Sequence, residues 1–224
     1  MTTLLLVRHG LTELTGPVLA GWTPGVHLSD KGRAQVAALA ERLAGLELDA
    51  IVSSPLERCV ETAEAVAAGR AIEIDDRFGE CGYGEWTGRE LKELAAEPLW
   101  RVVQAHPSAV VFPGGEALAD VQARAVRAVR DWNERVGPTG MYLACSHGDV
   151  IKAIVADALG LHLDQFQRIT ADPASLTVIR YTPMRPFVLR VNDSGSAEVT
   201  REAPLGGENH TESDAAVGGG AGTT

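Results

Sequence analysis

The sequence contains few of the residues that build disulfide frameworks or membrane spans. Its 224 residues include three cysteines, an odd and unclustered number, so a disulfide framework is not expected. No apolar run approaches the roughly 18 residues of a membrane-spanning helix, and the first residues lack the pattern of a secretory signal. These absences favour a reducing compartment, and we expect the protein in the cytoplasm with no membrane partner.

The spacings that mark several catalytic classes are also missing. No cysteine has an arginine six positions later, as the phosphate loop of a cysteine phosphatase requires. No Gly-Lys-Ser or Gly-Lys-Thr follows a glycine-rich loop, and neither His-Glu-x-x-His nor Cys-x-x-Cys occurs. The sequence therefore does not support a nucleotide-binding loop or a zinc site. Cys59, Cys81 and Cys145 are interpreted as small core residues.

Basic residues are outnumbered, with 20 lysines and arginines against 30 aspartates and glutamates. The resulting net charge of −10 argues against nucleic-acid binding. Half of this charge lies in residues 192–224, a glycine-rich segment with almost no large apolar residues, which predicts a disordered acidic tail. Residues 1–191 have enough apolar residues, without a break in composition, to form one catalytic domain.

Short apolar runs alternate along the chain with amphipathic helical patterns. Strands are expected at 3–8, 49–53, 71–74, 141–145, 174–181 and 186–191, and helices at 30–44, 56–68, in pieces near 88–105, at 116–136 and at 148–159. The alternation predicts a single-domain, three-layer α/β/α fold with a mostly parallel central sheet.

Two of the predicted strands end in a histidine that is followed by glycine. The first strand ends in Arg8 and His9, and a later strand ends in His147. Arg58 lies in the first turn of the helix that follows the second strand. In an open α/β sheet, ligands bind outside the carboxyl ends of the strands. We therefore expect these four side chains to converge on one pocket.

Such a pocket suits phosphoryl transfer, because arginine holds phosphate oxygens in a bidentate fork and a neighbouring histidine can attack phosphorus. Three motifs carry these residues: Arg8-His9-Gly10 with Thr12, Ser53-Ser54-Pro55-Leu56 leading to Arg58 and Thr62, and Ser146-His147-Gly148. Together, over residues 3–181, they resemble the histidine phosphatase superfamily in its phosphoglycerate-mutase-like branch.

The resemblance implies a phosphoglycerate-mutase-like fold and a set of catalytic roles. It implies that His9 becomes phosphorylated and that Glu80 is the catalytic acid. Arg8, Arg58 and His147 would complete the phosphate pocket. Since two arginines and a histidine around three phosphoryl oxygens can replace a metal ion, no metal and no cofactor is predicted. His9 must be neutral to attack, so its other ring nitrogen should donate to a backbone carbonyl.

Glu80 lies in a segment with four glycines in ten residues, a composition typical of a loop packed close to a ligand. Partial burial there would raise the pKa of its carboxyl. The acid could then protonate a leaving alkoxide and afterwards deprotonate the incoming water. Glu85 shares the loop, and only the spacing found in the family favours Glu80.

Substrate contacts are less well defined by the sequence than the chemistry. The family often has an acidic or amide residue at the position of Leu11 and an asparagine at that of Thr15. Thr15, Gly21 and Trp22 are candidate substrate contacts, although a tryptophan at a pocket mouth more often braces its loops. Glu116 is interpreted as a charge at the start of a helix.

The expected function is a metal-independent phosphatase for small phosphate monoesters. Glycolytic mutases carry basic and tyrosine residues, where this chain has residues 92–113, to hold a bisphosphorylated intermediate. Here Lys92, Arg101 and His106 stand without paired arginines or a tyrosine. Fewer cations favour water as the acceptor. A phosphoglycerate-type mutase and a non-catalytic relative that binds phosphorylated ligands stay open as alternatives, as does a homodimer.

Overall fold

The computed structural model describes residues 1–195 and Gly218. The strands are β1 (Thr2–Arg8), β2 (Ala50–Ser53), β3 (Glu73–Ile74), β4 (Met141–Ser146), β5 (Leu176–Tyr181) and β6 (Pro186–Asp193). The helices are α1 (Asp30–Leu43), α2 (Glu57–Ala67), α3 (Leu91–Leu94), α4 (Pro98–Ala105), α5 (Leu118–Val136) and α6 (Gly148–Leu159). The strands form one sheet in the order β3-β2-β4-β1-β5-β6, in which β1 to β4 are mutually parallel, β5 pairs antiparallel with β1, and β6 pairs antiparallel with β5. The predicted α/β fold with a mostly parallel sheet is confirmed.

The sheet is covered on both faces, because alternate side chains of a strand point to opposite sides. In β1, Leu4 and Leu6 join the apolar cluster formed with α5 and α6. Leu5 and Val7 join the second cluster, which includes α1 and α2. Burial of each such side chain stabilises the fold by about 1.5–3 kcal/mol. The result is the three-layer arrangement predicted from the alternating pattern.

The pairing of β1 with β4 brings the two histidines together. Arg8 and Ser146 are register partners at the carboxyl ends of these parallel strands. The backbone N–H of His9 donates to the carbonyl of Ser146 at 3.1 Å, and His147 is the next residue of the other strand. Gly10 then lets the chain pass close to α1, since a Cβ there would lie 2.8 Å from the carbonyl oxygen of Gly32.

Strand β6 continues beyond the predicted domain boundary at residue 191. Asp193 pairs with Arg42 of α1 at 2.8 Å, and the Asn192 amide donates to the Asp172 carboxylate at 2.8 Å. These polar contacts extend the strand where the apolar pattern stops. Asn192 and Asp193, which were predicted to belong to the disordered tail, are thus part of β6. Apart from residues 192–195 and Gly218, the predicted tail lies outside the described part of the chain.

Other element bounds also differ from the predicted ones. Strand β3 has two residues instead of four, and the helical pieces near 88–105 are resolved as α3 and α4. The three cysteines are buried thiols without disulfide partners, as the core interpretation expects. None of the described helices combines the length and the apolar composition needed to cross a membrane.

Candidate active site

The four side chains expected at the sheet edge lie together. Arg8, His9 and Arg58 line one pocket, together with Glu80, whereas His147 does not line it. His147 lies beneath them, with its ring centroid 5.2 Å from that of His9. All five side chains are buried. The predicted convergence is therefore present in the structure.

His9 is held as a neutral imidazole. Its Nδ1 lies 2.8 Å from the carbonyl oxygen of Gly10, the backbone contact expected to fix the tautomer. Nε2 then has a lone pair, which accepts from Nε of Arg58 at 3.3 Å. Burial, followed by the charges of Arg58 and Arg8, holds the pKa of His9 well below its usual value. The ring nitrogen that faces the pocket is therefore the unprotonated one.

Arg58 connects both histidines and keeps one donor for a ligand. Its Nη2 donates to the carbonyl of Gly21 at 2.8 Å and lies 3.3 Å from Nδ1 of His147. Its Nη1 is buried and has no hydrogen-bond partner among the described residues. A buried donor without a partner costs about 1–3 kcal/mol. A phosphoryl oxygen in the pocket would satisfy it.

Arg8 supplies the second cation from the end of β1. Its Nη1 donates to the carbonyl of Ala171 at 2.7 Å, which fixes the guanidinium at the sheet edge. Burial lowers the pKa of Arg8, whereas the neighbouring carboxylates of Glu80 and Asp149 raise it. Because arginine titrates far above neutrality, the group stays charged.

His147 is buried beneath the two cations. Its Nε2 lies 2.7 Å from the Ser54 hydroxyl, and its Nδ1 lies 3.8 Å from Oε2 of Glu80. Burial first, and then the charge of Arg58, holds the pKa of His147 well below its usual value, so this contact is not an ion pair. Because a hydroxyl can donate or accept, Ser54 satisfies Nε2 in either tautomer, and in the 3.3 Å contact with Nη2 of Arg58 it is Nδ1 that accepts.

Glu80 is the carboxyl group of the pocket. Its Oε1 accepts from the backbone N–H of Cys81 at 2.9 Å. Burial, followed by the negative charge of Asp149, raises the pKa of Glu80 to about 7. Glu85, by contrast, is exposed and does not line the pocket. The structure thus distinguishes two carboxylates between which the loop composition alone could not decide.

The backbone of Glu80 is braced from α5. Nη2 of Arg124 donates to the Glu80 carbonyl at 2.9 Å, and its Nη1 donates to the Gly79 carbonyl at the same distance. Glu116 pairs with Arg124 and also accepts from the backbone N–H of Gly82 at 2.7 Å. These contacts give the glycine-rich loop a fixed path on both sides of the acid.

This bracing corrects the interpretation of Glu116. Helix α5 begins only at Leu118, so Glu116 precedes the first turn and does not act as a helix-start charge. Its carboxylate binds Arg124 and the loop instead, and these contacts lower its pKa against the effect of burial. Arg124 was not found from the sequence, because an arginine within an amphipathic helix has no distinguishing local pattern.

The three candidate substrate contacts differ in position. Thr15 and Gly21 line the pocket. Gly21 has φ of +50°, and a Cβ there would lie 2.9 Å from Oγ1 of Thr87, so glycine is required. Trp22 does not line the pocket and is 40% exposed. Its indole N–H donates to the Glu80 carbonyl at 2.6 Å, so it braces the loop.

A buried polar cluster behind the pocket was also missed. The Asp149 carboxylate accepts from the Tyr83 hydroxyl at 2.8 Å and from Nζ of Lys152 at 3.3 Å. Tyr83 lines the pocket, and Asp149 is only 2% exposed. The one available sequence signal was the position of Asp149 two residues after His147, which by itself suggests only an acid in the first turn of a helix.

A metal site is not evident in the same region. Within residues 1–195 and Gly218, no three histidine, cysteine or carboxylate side chains are placed to hold a metal ion together. The groups that surround the pocket are hydrogen-bond donors with a buried acid. Such an arrangement is suited to a bound phosphoryl group.

The fold is an α/β fold whose sheet edge brings together two histidines and two arginines, and comparison with known proteins gives the family. Residues 4–194 match the histidine phosphatase superfamily (branch 1), so the chain belongs to that superfamily. Its predicted membership is confirmed.

Two curated relatives are phosphatases by name. The chain is 35% identical over 206 residues to phosphoserine phosphatase 1 of Hydrogenobacter thermophilus, which covers 86% of this chain and 92% of the relative. It is 34% identical over 173 residues to glucosyl-3-phosphoglycerate phosphatase of Mycolicibacterium vanbaalenii, with 73% and 76% covered.

Solved structures agree with this assignment. YhfR of Bacillus stearothermophilus superimposes with a TM-score of 0.77 at 31% identity, covering 86% of this chain and 98% of that one. The native structure of a mycobacterial glucosyl-3-phosphoglycerate phosphatase gives a TM-score of 0.77 at 27% identity, with 85% and 98% covered.

Proposed function

We propose that the protein removes the phosphoryl group from small phosphate monoesters through a covalent phosphohistidine on His9. The enzyme class rests on the superfamily and on its phosphatase-named relatives: the chain is a phosphoric monoester hydrolase. The catalytic roles rest on the geometry of the pocket. The observation that carries them is the neutral His9, with Nδ1 on the Gly10 carbonyl and Nε2 beside Arg58.

In the first step, the lone pair of His9 Nε2 attacks phosphorus, so that an N–P bond forms while the ester P–O bond breaks. The protonated Glu80 gives its proton to the leaving alkoxide. Its pKa of about 7 means that a large fraction of the carboxyl is protonated near neutral pH. Burial, which disfavours the charged form, thus prepares the acid before substrate enters.

In the second step, water replaces the alcohol. Glu80, now a carboxylate, takes a proton from the water as its oxygen bonds to phosphorus, and the N–P bond breaks to release inorganic phosphate and neutral His9. Arg8, Arg58 and His147 bind the oxygens of the transferring group in both steps. Since phosphoryl transfer is dominated by positioning and electrostatics, we propose that these donors act without a metal ion.

Water is favoured over a second phosphorylated substrate as the acceptor. Lys92, Arg101 and His106, the cations of residues 92–113, are exposed and do not line the pocket. Between the acid and α5, the residues that do line it are Tyr83 and the apolar Leu91. A bisphosphorylated intermediate would therefore find little additional positive charge, and the mutase alternative is not favoured.

The substrate is a small phosphorylated molecule, in line with the phosphoserine and glucosyl-3-phosphoglycerate in the names of the relatives. We also place the protein in the cytoplasm, supported by three buried thiols without disulfides. A homodimer stays a prediction.

The function is tested by replacing the nucleophile. His9→Ala should abolish hydrolysis of an aryl phosphate and prevent acid-labile labelling of the protein by a ³²P-labelled substrate, because no covalent intermediate can form. His27→Ala is the matched control, since His27 is exposed and should leave both readouts unchanged. Circular dichroism checks that both variants fold. Substantial turnover or labelling in His9→Ala would contradict the mechanism. A panel of cellular phosphate esters would then identify the preferred leaving group.

A further inference from the structure

The one described residue beyond position 195, Gly218, lies in the active-site pocket. Its backbone N–H donates to Oδ2 of Asp149 at 3.1 Å. Its carbonyl oxygen accepts from Nη2 of Arg8 at 3.3 Å. We propose that Arg8 and Asp149 form a binding site, here called the amide site, for the backbone N–H and C=O of one peptide residue, and that Gly218 of the C-terminal tail occupies it in competition with substrate.

The amide site consists of two buried charged groups of opposite sign. Arg8 and Asp149 are each 2% exposed. A carboxylate is a strong acceptor for an N–H group and a guanidinium a strong donor to a carbonyl, so the two together bind the backbone N–H and C=O of one residue. Tyr83 and Lys152 donate to Asp149 and hold its carboxylate in place. Residues of the folded domain therefore hold the site in place.

The occupant must be glycine at this position. Gly218 has φ of +73°, a conformation that L-residues rarely adopt. A Cβ on Gly218 would also lie 3.0 Å from Cδ1 of Leu19, which lines the pocket. In the sequence, Gly218 is followed by two further glycines. A larger residue at 218 should disfavour docking through both backbone strain and crowding.

Docking of Gly218 affects the group that would bind substrate. Arg8 is one of the two cations proposed for the phosphate, and its Nη2 already donates to the Gly218 carbonyl. Substrate binds to the fraction of molecules from which the tail has left, so the apparent dissociation constant rises by the inverse of that fraction. The tail should thus raise KM and leave kcat unchanged. This kinetic consequence rests on the proposed function, whereas binding of the peptide does not.

The first experiment compares two full-length variants. We take the docked form, which the structure shows, as the more populated one. Gly218→Val should then lower KM for an aryl phosphate by about twofold or more, because the competent fraction rises from below one half. Its kcat should equal that of the wild type. Gly206→Val, another tail glycine twelve positions earlier, should have wild-type KM. An unchanged KM in Gly218→Val would overturn the proposal. So would a higher KM or a lower kcat, which would mean that the tail completes the site.

The second experiment measures binding without turnover. A synthetic peptide of residues 211–224 is titrated into full-length Gly218→Val by calorimetry, with the same peptide carrying valine at 218 as control. Only the glycine peptide should bind, and inorganic phosphate should displace it. Equal or absent binding of both peptides would overturn the proposal. If the glycine peptide binds but no variant hydrolyses a phosphate ester, the proposed function fails and the amide site stands.

Discussion

The proposed mechanism needs a protonated Glu80 and a neutral His9 in the same pocket, and burial favours both. Removal from water disfavours the charged form of each group. It therefore raises the pKa of the Glu80 carboxyl to about 7 and lowers that of the His9 imidazole well below its usual value. A protonated acid and a neutral nucleophile can then coexist between these two pKa values.

The pH dependence of kcat/KM for an alkyl phosphate should follow these directions. Activity should fall above about pH 7, because Glu80 loses the proton that the leaving alkoxide needs. On the acid side it should persist below pH 6.5, because His9 stays neutral to a lower pH than an ordinary histidine. Initial rates across pH 4 to 9 test both limbs. An alkaline limb far from pH 7 would contradict the role of Glu80.

Asp149→Asn should move the alkaline limb to lower pH. The negative charge of Asp149 opposes ionisation of Glu80, so its removal lets Glu80 ionise more readily. The measurement is the same profile, with Asp157→Asn, at the far end of α6, as the matched control. A limb that stays in place would show that burial alone sets the pKa of Glu80.

Glu80→Gln should separate substrates by their leaving groups. An alkyl phosphate needs a proton on its leaving oxygen, and loss of a general acid costs about 10²- to 10⁴-fold in rate. Nitrophenyl phosphate leaves as a stable anion, so its kcat should fall by much less. Glu85→Gln, in the same loop but exposed, should have little effect on either substrate. Equal losses on both substrates would argue against an acid role for Glu80.

Among the secondary-structure elements, helix α5 fixes the position of Glu80 by binding the glycine-rich loop. Arg124 reaches the carbonyls of Gly79 and Glu80 from the helix, and Glu116 holds both Arg124 and Gly82. The acid itself lies on a loop, whose geometry is less well determined than that of a helix or a strand. Anchoring that loop to a long helix compensates for this.

Arg124→Met should therefore weaken acid catalysis without removing the acid. Displacement of a catalytic group by about 1 Å can cost on the order of 100-fold, so kcat for an alkyl phosphate should fall by about 10- to 100-fold. The loss on nitrophenyl phosphate should be smaller, which a merely unstable protein would not show. Arg127→Met, on the same helix but exposed, is the control. A uniform loss on both substrates would indicate a structural role only.

The chain as a whole is negatively charged, whereas the pocket contains two cations. The chain carries −10, yet Arg8 and Arg58 are buried where the phosphate is proposed to bind. In salt solution, charges separated by more than about 8 Å are largely screened, so the nearby cations dominate. An acidic protein can thus retain an anion-binding pocket.

Chelation should leave activity intact. The proposed mechanism places the compensating positive charge on Arg8 and Arg58, so no step needs a divalent ion. The rate on an aryl phosphate should be the same before and after dialysis against EDTA, and added magnesium or zinc should not raise it. Activity that is lost on dialysis and restored by a divalent ion would overturn this part of the proposal.

The sequence alone was sufficient for the fold class and for the convergence of Arg8, His9, Arg58 and His147. The reason is local: each follows an apolar strand, and the carboxyl ends of parallel strands meet at one edge. The tertiary structure decided what surrounds them. Arg124 binds Glu80 across 44 residues, and no pattern near either residue records that contact.

The same holds for the groups that set the chemistry of the acid. Sequence could nominate Glu80 only through family spacing, whereas its burial, its distance from His147 and the charge of Asp149 arise from packing. Glu116 was interpreted as a helix-start charge and Trp22 as a candidate substrate contact for the same reason, because the groups that they bind come from distant loops. Gly218 shows the contrast again: composition describes a glycine-rich segment, but only the fold brings Asp149 to the backbone N–H of Gly218 and Arg8 to its carbonyl.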